Sequence, residues 1–155
     1  MSDTLAARLQ GLGLQLPDCS TPAANYVPWV RTGNLLFISG QVPKRDGEDA
    51  YIGKLGDEFG IEDGQAAARL CALNILAHLN DAVEGDASRV RRCVRLGGFV
   101  NSTPAFDQHP KVINGASDLM VDVLGVAGKH ARAAVGVAAL PRNVAVEVDA
   151  IFEID

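Results

Sequence analysis

Near its C-terminal end the chain alternates: Val146, Val148, Ala150, Phe152 and Ile154 stand against Glu147, Asp149, Ile151 and Glu153. Strand side chains point to opposite faces with a period of two, so this segment predicts a strand with one buried face and one acidic face that Ile151 interrupts. The run before it, residues 133–139, is apolar at every position and predicts a strand buried on both faces. Pro141, Arg142 and Asn143 supply the turn between them. Two longer segments follow helical spacing instead. Residues 62–84 put Leu70, Leu73, Ala77 and Asn80 on one face, extended by Leu76, Leu79 and Val83, and Gly85 ends them. Residues 106–125 carry a stripe of Val112, Ala116, Leu119, Val123 and Leu124, closed by Gly125. Residues 89–100 read as a strand with Val90, Val94 and Leu96 on one face, and a loop with Pro104 follows it. Residues 24–31 and 34–39 read as a hairpin about Thr32 and Gly33, with Pro28 hinting at an edge strand or a bulge. Residues 3–11 predict a short helix with Leu5 and Leu9 one turn apart, ended by Gly11 and Gly13. Residues 40–60 are rich in Gly, Asp and Lys and read as one long loop.

The order ββ-α-β-α-ββ fits an α+β domain in which one mixed sheet carries both long helices on the same face. A partly apolar sheet face left uncovered is expected to drive self-association. A chain of 155 residues is expected to form one domain over 1–155, the first helix being a short N-terminal extension. The net charge of −5 weighs against a general nucleic-acid binder, which needs basic surface, but says little about a small anion that one arginine can hold. Cys19, Cys71 and Cys93 are odd in number without CxxC spacing, which reads as reduced thiols in a cytoplasmic protein. His78, His109 and His130 are scattered, so no metal site is expected. No apolar run is long enough to span a membrane, and the N-terminal residues lack the layout of a signal peptide.

The candidate chemistry lies in residues 130–155. Arg132 stands at the mouth of the all-apolar run and Glu147 in the alternating strand. Charges near apolar strands are costly to bury and useful where a polar ligand must be held. A guanidinium grips a carboxylate through two parallel hydrogen bonds and fixes its plane. A fixed plane presents the adjacent carbon to water, and a carboxylate can orient that water.

Two segments, LLFISGQVP at 35–43 and ARAAVGVAALPRNVAVEVDAIFEI at 131–154, resemble the paired signatures of the RidA/YjgF family, which also carries the endoribonuclease L-PSP label. The resemblance covers most of residues 24–155. It implies a chorismate-mutase-like two-layer fold and a homotrimer whose sheet faces enclose a central β-barrel, with ligand clefts between subunits. Members with deaminase activity hydrolyse 2-imino acids or their enamine tautomers to 2-oxoacids and ammonia, as 2-iminobutanoate/2-iminopropanoate deaminases do, without a cofactor. By resemblance, Arg132 holds the substrate carboxylate and Glu147 lies near the attacking water. Tyr26, Gly40 of the Ser39-Gly40-Gln41 turn, and Asn114 line the cleft, and Gly33 borders it.

The chain departs from the family pattern at several places. Ala134 stands where a Cys or Ser is common, so a thiol in the pocket is absent. Asn25 belongs to an altered lead-in to Tyr26, Gly115 replaces a bulky aromatic after Asn114, and the loop 43–60 is longer than in short members. Each choice has a plainer reading. Arg132 could pair with a nearby acid, Glu147 could line a channel, Tyr26 could simply pack, Asn114 could be an ordinary helix polar residue, and His130 could be a surface residue. Arg89, Arg91, Arg92 and Arg95 read as solvated charge balancing the acids around them. Cys71 and Cys93 read as small buried hydrophobes. The alternatives to a deaminase are a non-catalytic sensor of small carboxylates or interaction protein using the same cleft, and a ribonuclease.

Overall fold

The structure, a computed structural model, describes residues 2–19 and 24–155. The strands are β1 (Trp29–Thr32), β2 (Leu35–Gln41), β3 (Lys44–Arg45), β4 (Glu48–Asp49), β5 (Val90–Asn101), β6 (Ala131–Val137) and β7 (Val146–Ile154). The helices are α1 (Leu5–Gln10), α2 (Ile61–Ala82) and α3 (His109–Leu124). Five strands form one mixed sheet in the order β1-β2-β7-β5-β6. Only β5 and β6 run parallel, joined through α3, as a crossover demands.

The core lies between the sheet and its helices. Leu36, Leu96, Val148 and Phe152 from the sheet meet Ile75 and Leu79 of α2 and Ile113, Leu119 and Met120 of α3, all fully buried. The alternation of β7 holds along its whole length: Val146, Val148, Ala150, Phe152 and Ile154 are buried, and the residues between them are half-buried. Leu5 and Leu9 of α1 join the same core, and Thr4 caps that helix by accepting from the Ala7 N–H at 3.0 Å. Among the described residues no helix lies over the opposite sheet face. Val30, Leu35, Phe37 and Val135 are 38–53% exposed.

Several expectations change. The apolar run expected at 133–139 is instead the strand 131–137, and it is not buried on both faces: β6 is an edge strand, and most of its residues are half-buried or exposed. The core face of α2 runs through Ala68, Cys71, Ile75 and Leu79, while Leu70, Leu73 and Asn80 lie at its half-buried margin. So many alanines surround this helix that apolar spacing alone does not single out one face. On β5 the core face is Cys93, Leu96, Gly98 and Val100, with Val90 packed at its margin; of the expected Val90, Val94 and Leu96 only Val94 leaves it. Register shifts between Val90 and Arg92 and between Cys93 and Arg95 turn the strand over. The loop 40–60 contains the small β3-β4 hairpin, turned at Asp46 and Gly47 with φ of 52° and 80°, the paired positive φ that an Asp-Gly hairpin turn needs. In the first hairpin Thr32 pairs with Leu35, which makes Gly33 and Asn34 the loop. Pro28 directly precedes β1, an edge strand as its proline suggested.

Candidate functional site

Arg132 stands opposite Leu96 in the β5-β6 register, so its side chain leaves the sheet on the helix side. There it meets α3. One terminal nitrogen donates to Ser117 Oγ at 3.0 Å and the other to the Pro110 carbonyl at 3.2 Å. Pro110, Asn114 and Ser117 follow i, i+4, i+7 spacing and form one stripe of α3. Asn114 therefore sits on that stripe between the two groups that hold Arg132. Among the described residues no carboxylate lies within 4.0 Å of this guanidinium. Five N–H donors minus two leaves three, enough for two parallel bonds to a carboxylate.

His130 is bound into the same cluster. Its Nε2 lies 2.8 Å from Ser117 Oγ, and its Nδ1 lies 2.6 Å from the Gly128 carbonyl. Sequence reading weighed His130 as a cleft residue, favoured a surface role for it, and did not single out Ser117. The i+3 step from Asn114 to Ser117 was the available signal, but nothing in a single sequence says that β6 lies against that stripe.

Two close approaches set the position of α3. A Cβ on Gly115 would come 2.1 Å from the Gln65 carbonyl oxygen, and one on Gly98 would come 2.6 Å from Ile113. Gly115, a departure from the family pattern, is thus where α3 crosses α2. Gln65 also donates to the Lys111 carbonyl at 2.9 Å, tying the two helices together.

Glu147 belongs to the other face. It pairs with Phe99 across β5 and alternates with the buried residues of β7. Its neighbour on β2 is Gly40, where a Cβ would stand 2.8 Å from Glu147 Oε2. The β2-β7 register shifts between Ile38 and Gln41, so the Ser39-Gly40 bulge makes room for this carboxylate. Burial pushes the Glu147 carboxyl up from the usual range, the like charge of Asp149 adds to this, and Arg142 opposes it. Burial likewise raises Asp149, whose partner Arg95 stands at 3.8 Å. Ser39 Oγ donates to the Val27 carbonyl at 2.9 Å, and Ser39 N–H donates to the Pro28 carbonyl at 2.9 Å. These bonds fix the segment after Tyr26, whose ring is more than half exposed.

The turn before β7 is strained. Arg142 and Asn143 both adopt positive φ, 53° and 60°. Arg142 is paired with Asp49, which lowers the Asp49 carboxyl. Asn143 Oδ1 accepts from the buried Asn101 at 2.9 Å, and Asn101 Oδ1 accepts from Lys54 Nζ at 2.6 Å. Lys54 also donates to the Ala138 carbonyl at 2.7 Å. The 49–56 segment therefore clamps the end of β6 and the start of β7, a role the sequence did not reveal.

Arg132 and Glu147 are not brought together within one chain. They stand on opposite faces of the sheet, on strands two places apart, about 10 Å in that direction alone. The chain carries two half-sites: Arg132, Asn114, Ser117 and His130 at the β6 edge, and Glu147 and Gly40 on the open face, with Tyr26 before β1. The arginine cluster is largely engaged elsewhere. Arg91 pairs with Asp155, Arg89 donates to the Asp155 carbonyl at 3.0 Å, and Arg95 faces Asp149. Among the described residues no helix is long and apolar enough to cross a membrane, and no group of three or more His, Cys, Asp or Glu could hold a metal ion.

Comparison with known proteins agrees with this architecture. Residues 6–154 match the family described as "YjgF/chorismate_mutase-like, putative endoribonuclease". The Trypanosoma cruzi protein TCP17 is 49% identical over 155 residues, covering 99% of this chain and 96% of that protein. A crystal structure of a protein of unknown function from Agrobacterium tumefaciens superposes with a TM-score of 0.92 at 50% identity, over 97% of this chain and 92% of the other. A Shewanella oneidensis MR-1 protein with the endoribonuclease description superposes at 0.94 and 36% identity, over 98% and 100%. RidA from the Antarctic bacterium Psychrobacter sp. PAMC 21119 superposes at 0.61 and 25% identity, over 88% and 94%. With its α+β sheet, its helices on one face and both signature segments in place, the chain belongs to the RidA/YjgF family and has the chorismate-mutase-like fold.

Proposed function

We propose that this protein hydrolyses small 2-imino or enamine acids to 2-oxoacids and ammonia, with Arg132 as the carboxylate anchor. The observation that carries the reading is the positioned guanidinium: Arg132 is fixed by Ser117 and the Pro110 carbonyl, has no carboxylate partner among the described residues, and keeps three donors free. A guanidinium held this way by neutral oxygens retains its charge for a ligand.

The two half-sites support a cleft built between copies, as the family resemblance implies. The Arg132 edge of one copy would meet the Glu147 face of another, within a homotrimer whose uncovered sheet faces enclose a central barrel. The exposed apolar residues Val30, Leu35, Phe37 and Val135 are the surface such packing would bury. In that cleft Arg132 fixes the plane of the substrate carboxylate. Water then adds to the imine carbon, already a good electrophile, and the amino group leaves as ammonia. Glu147, with its carboxyl raised by burial, suits the exchange of a proton with that water. Tyr26, Gly40 and Asn114 form the walls. The whole chain acts as one domain, with α1 as an extension docked on the core.

The test is hydrolysis of imines generated by an amino-acid oxidase, followed by ammonia release. Arg132→Ala should lower kcat/KM at least ~100-fold, the value of a charge-assisted bidentate contact, with the oligomer intact. Unchanged turnover in this variant refutes the reading. Ribonuclease activity finds little support, because Arg91 and Arg95 face Asp155 and Asp149.

A further inference from the structure

The contacts around Ser117 fit a one-way chain of hydrogen bonds. Arg132 has no acceptor, so its terminal N–H must donate to Ser117 Oγ across the 3.0 Å contact. In the tautomer that carries its proton on Nδ1, His130 Nε2 accepts the Ser117 hydroxyl proton across 2.8 Å. The Gly128 carbonyl, which can only accept, favours that tautomer by taking the Nδ1 proton at 2.6 Å. Every bond in this chain runs the same way, from the guanidinium through the hydroxyl and the imidazole to a backbone oxygen. Gly128 is itself locked, since a Cβ there would lie 2.2 Å from the Met120 carbonyl oxygen at the end of α3.

We propose that Ser117 and His130 are positioning residues for the reaction assigned above, a relay that uses the His130 imidazole to fix the Arg132 guanidinium for the substrate carboxylate. The proposal rests on that reading and extends it to two residues that do not themselves touch substrate. A hydroxyl alone would hold Arg132 loosely, because it rotates. The imidazole removes that freedom by taking the hydroxyl proton, which leaves the Ser117 lone pairs facing the guanidinium. Side chains so linked are expected to act as a unit.

The experiment compares Ser117→Ala, His130→Leu, the double variant, and the conservative Ser117→Thr and His130→Gln, alongside Arg132→Ala. Steady-state imine hydrolysis is measured together with the Kd for pyruvate, a simple 2-oxoacid. Ser117→Ala and His130→Leu should each raise KM and the pyruvate Kd about 10-fold, the worth of one charge-assisted hydrogen bond. The double variant should be no worse than the worse single one. Ser117→Thr and His130→Gln, which keep a hydroxyl and an acceptor, should recover most of the loss. A role in stability alone would lower the melting temperature without this pattern. If Arg132→Ala abolishes activity while Ser117→Ala and His130→Leu leave KM and Kd unchanged, the relay is overturned and the deaminase reading stands. If Arg132→Ala changes nothing, both are overturned.

Discussion

Gly115 and Gly64 offer a matched pair of substitutions whose outcomes should differ for one steric reason. Both glycines lie inside helices, so replacement by alanine relieves the same backbone cost, about 1 kcal/mol. A Cβ at Gly64 meets only methyl tips, Leu55 Cδ1 at 2.8 Å and the Val112 methyls at 3.0 Å. Side-chain tips can move by a few tenths of an ångström, at a cost of about 1 kcal/mol that cancels the gain. A Cβ at Gly115 meets backbone instead: the Gln65 oxygen at 2.1 Å, its carbonyl carbon at 2.8 Å and its Cα at 2.9 Å. Real contacts of this kind begin near 3.0 Å, so α3 must retreat from α2 by about 0.9 Å. Forcing packed backbone apart costs about 3 kcal/mol, for a net loss near 2 kcal/mol. For a chain of this size that is a fall of roughly 4–8 °C in melting temperature. Thermal and urea unfolding at matched protein concentration would read both variants. Gly64→Ala should fall within about 0.5 kcal/mol of the parent. The same retreat would displace the Ser117 and Pro110 groups that hold Arg132, so Gly115→Ala should also weaken activity. Equal stabilities for the two variants would refute the argument.

The remaining predictions concern titration and thiol access. The Glu147 carboxyl is raised in the folded state, so the folded protein binds its proton more readily than the unfolded chain. Its ionisation therefore lowers stability at neutral pH, and the penalty fades as pH falls through the raised value toward 4.5. Glu147→Gln should melt higher than the parent at pH 7, with the gap closing near pH 4.5; a gap that widens on acidification would contradict the burial of this group. Asp49 has the opposite sign: Arg142 holds its carboxyl low, so the stability this pair gives is lost as pH falls through the lowered value, and Asp49→Asn should abolish that loss. Of the three cysteines only Cys19 is exposed. Burial pushes the Cys93 thiol up to about 12 and the Cys71 thiol well above its ordinary value. A disulfide reagent should modify one thiol in the native protein and all three in urea; two fast thiols would show a looser core.

The sequence by itself determined the order along the chain of the five main-sheet strands and the helices, the two-layer α+β class and the pairing of signature segments. These follow from local periodicity: the alternation of β7 survives folding unchanged because every second residue meets the same helical layer. It also singled out Arg132 as a candidate anchor, since that residue stands in a motif read residue by residue. Tertiary structure decided the rest, because it depends on which segments meet. The apolar run after Arg132 became part of an exposed edge strand, since sheet order is a long-range outcome that residue spacing does not carry. Two register shifts in β5 replaced Val94 with Cys93 on the core face, since a one-residue bulge inverts the pleat. Ser117 became a partner of Arg132, and His130 of Ser117, only because the parallel crossover lays α3 against β6. Arg132 and Glu147, read together along the chain, face opposite sides of the sheet, because strand order and pleat set them apart.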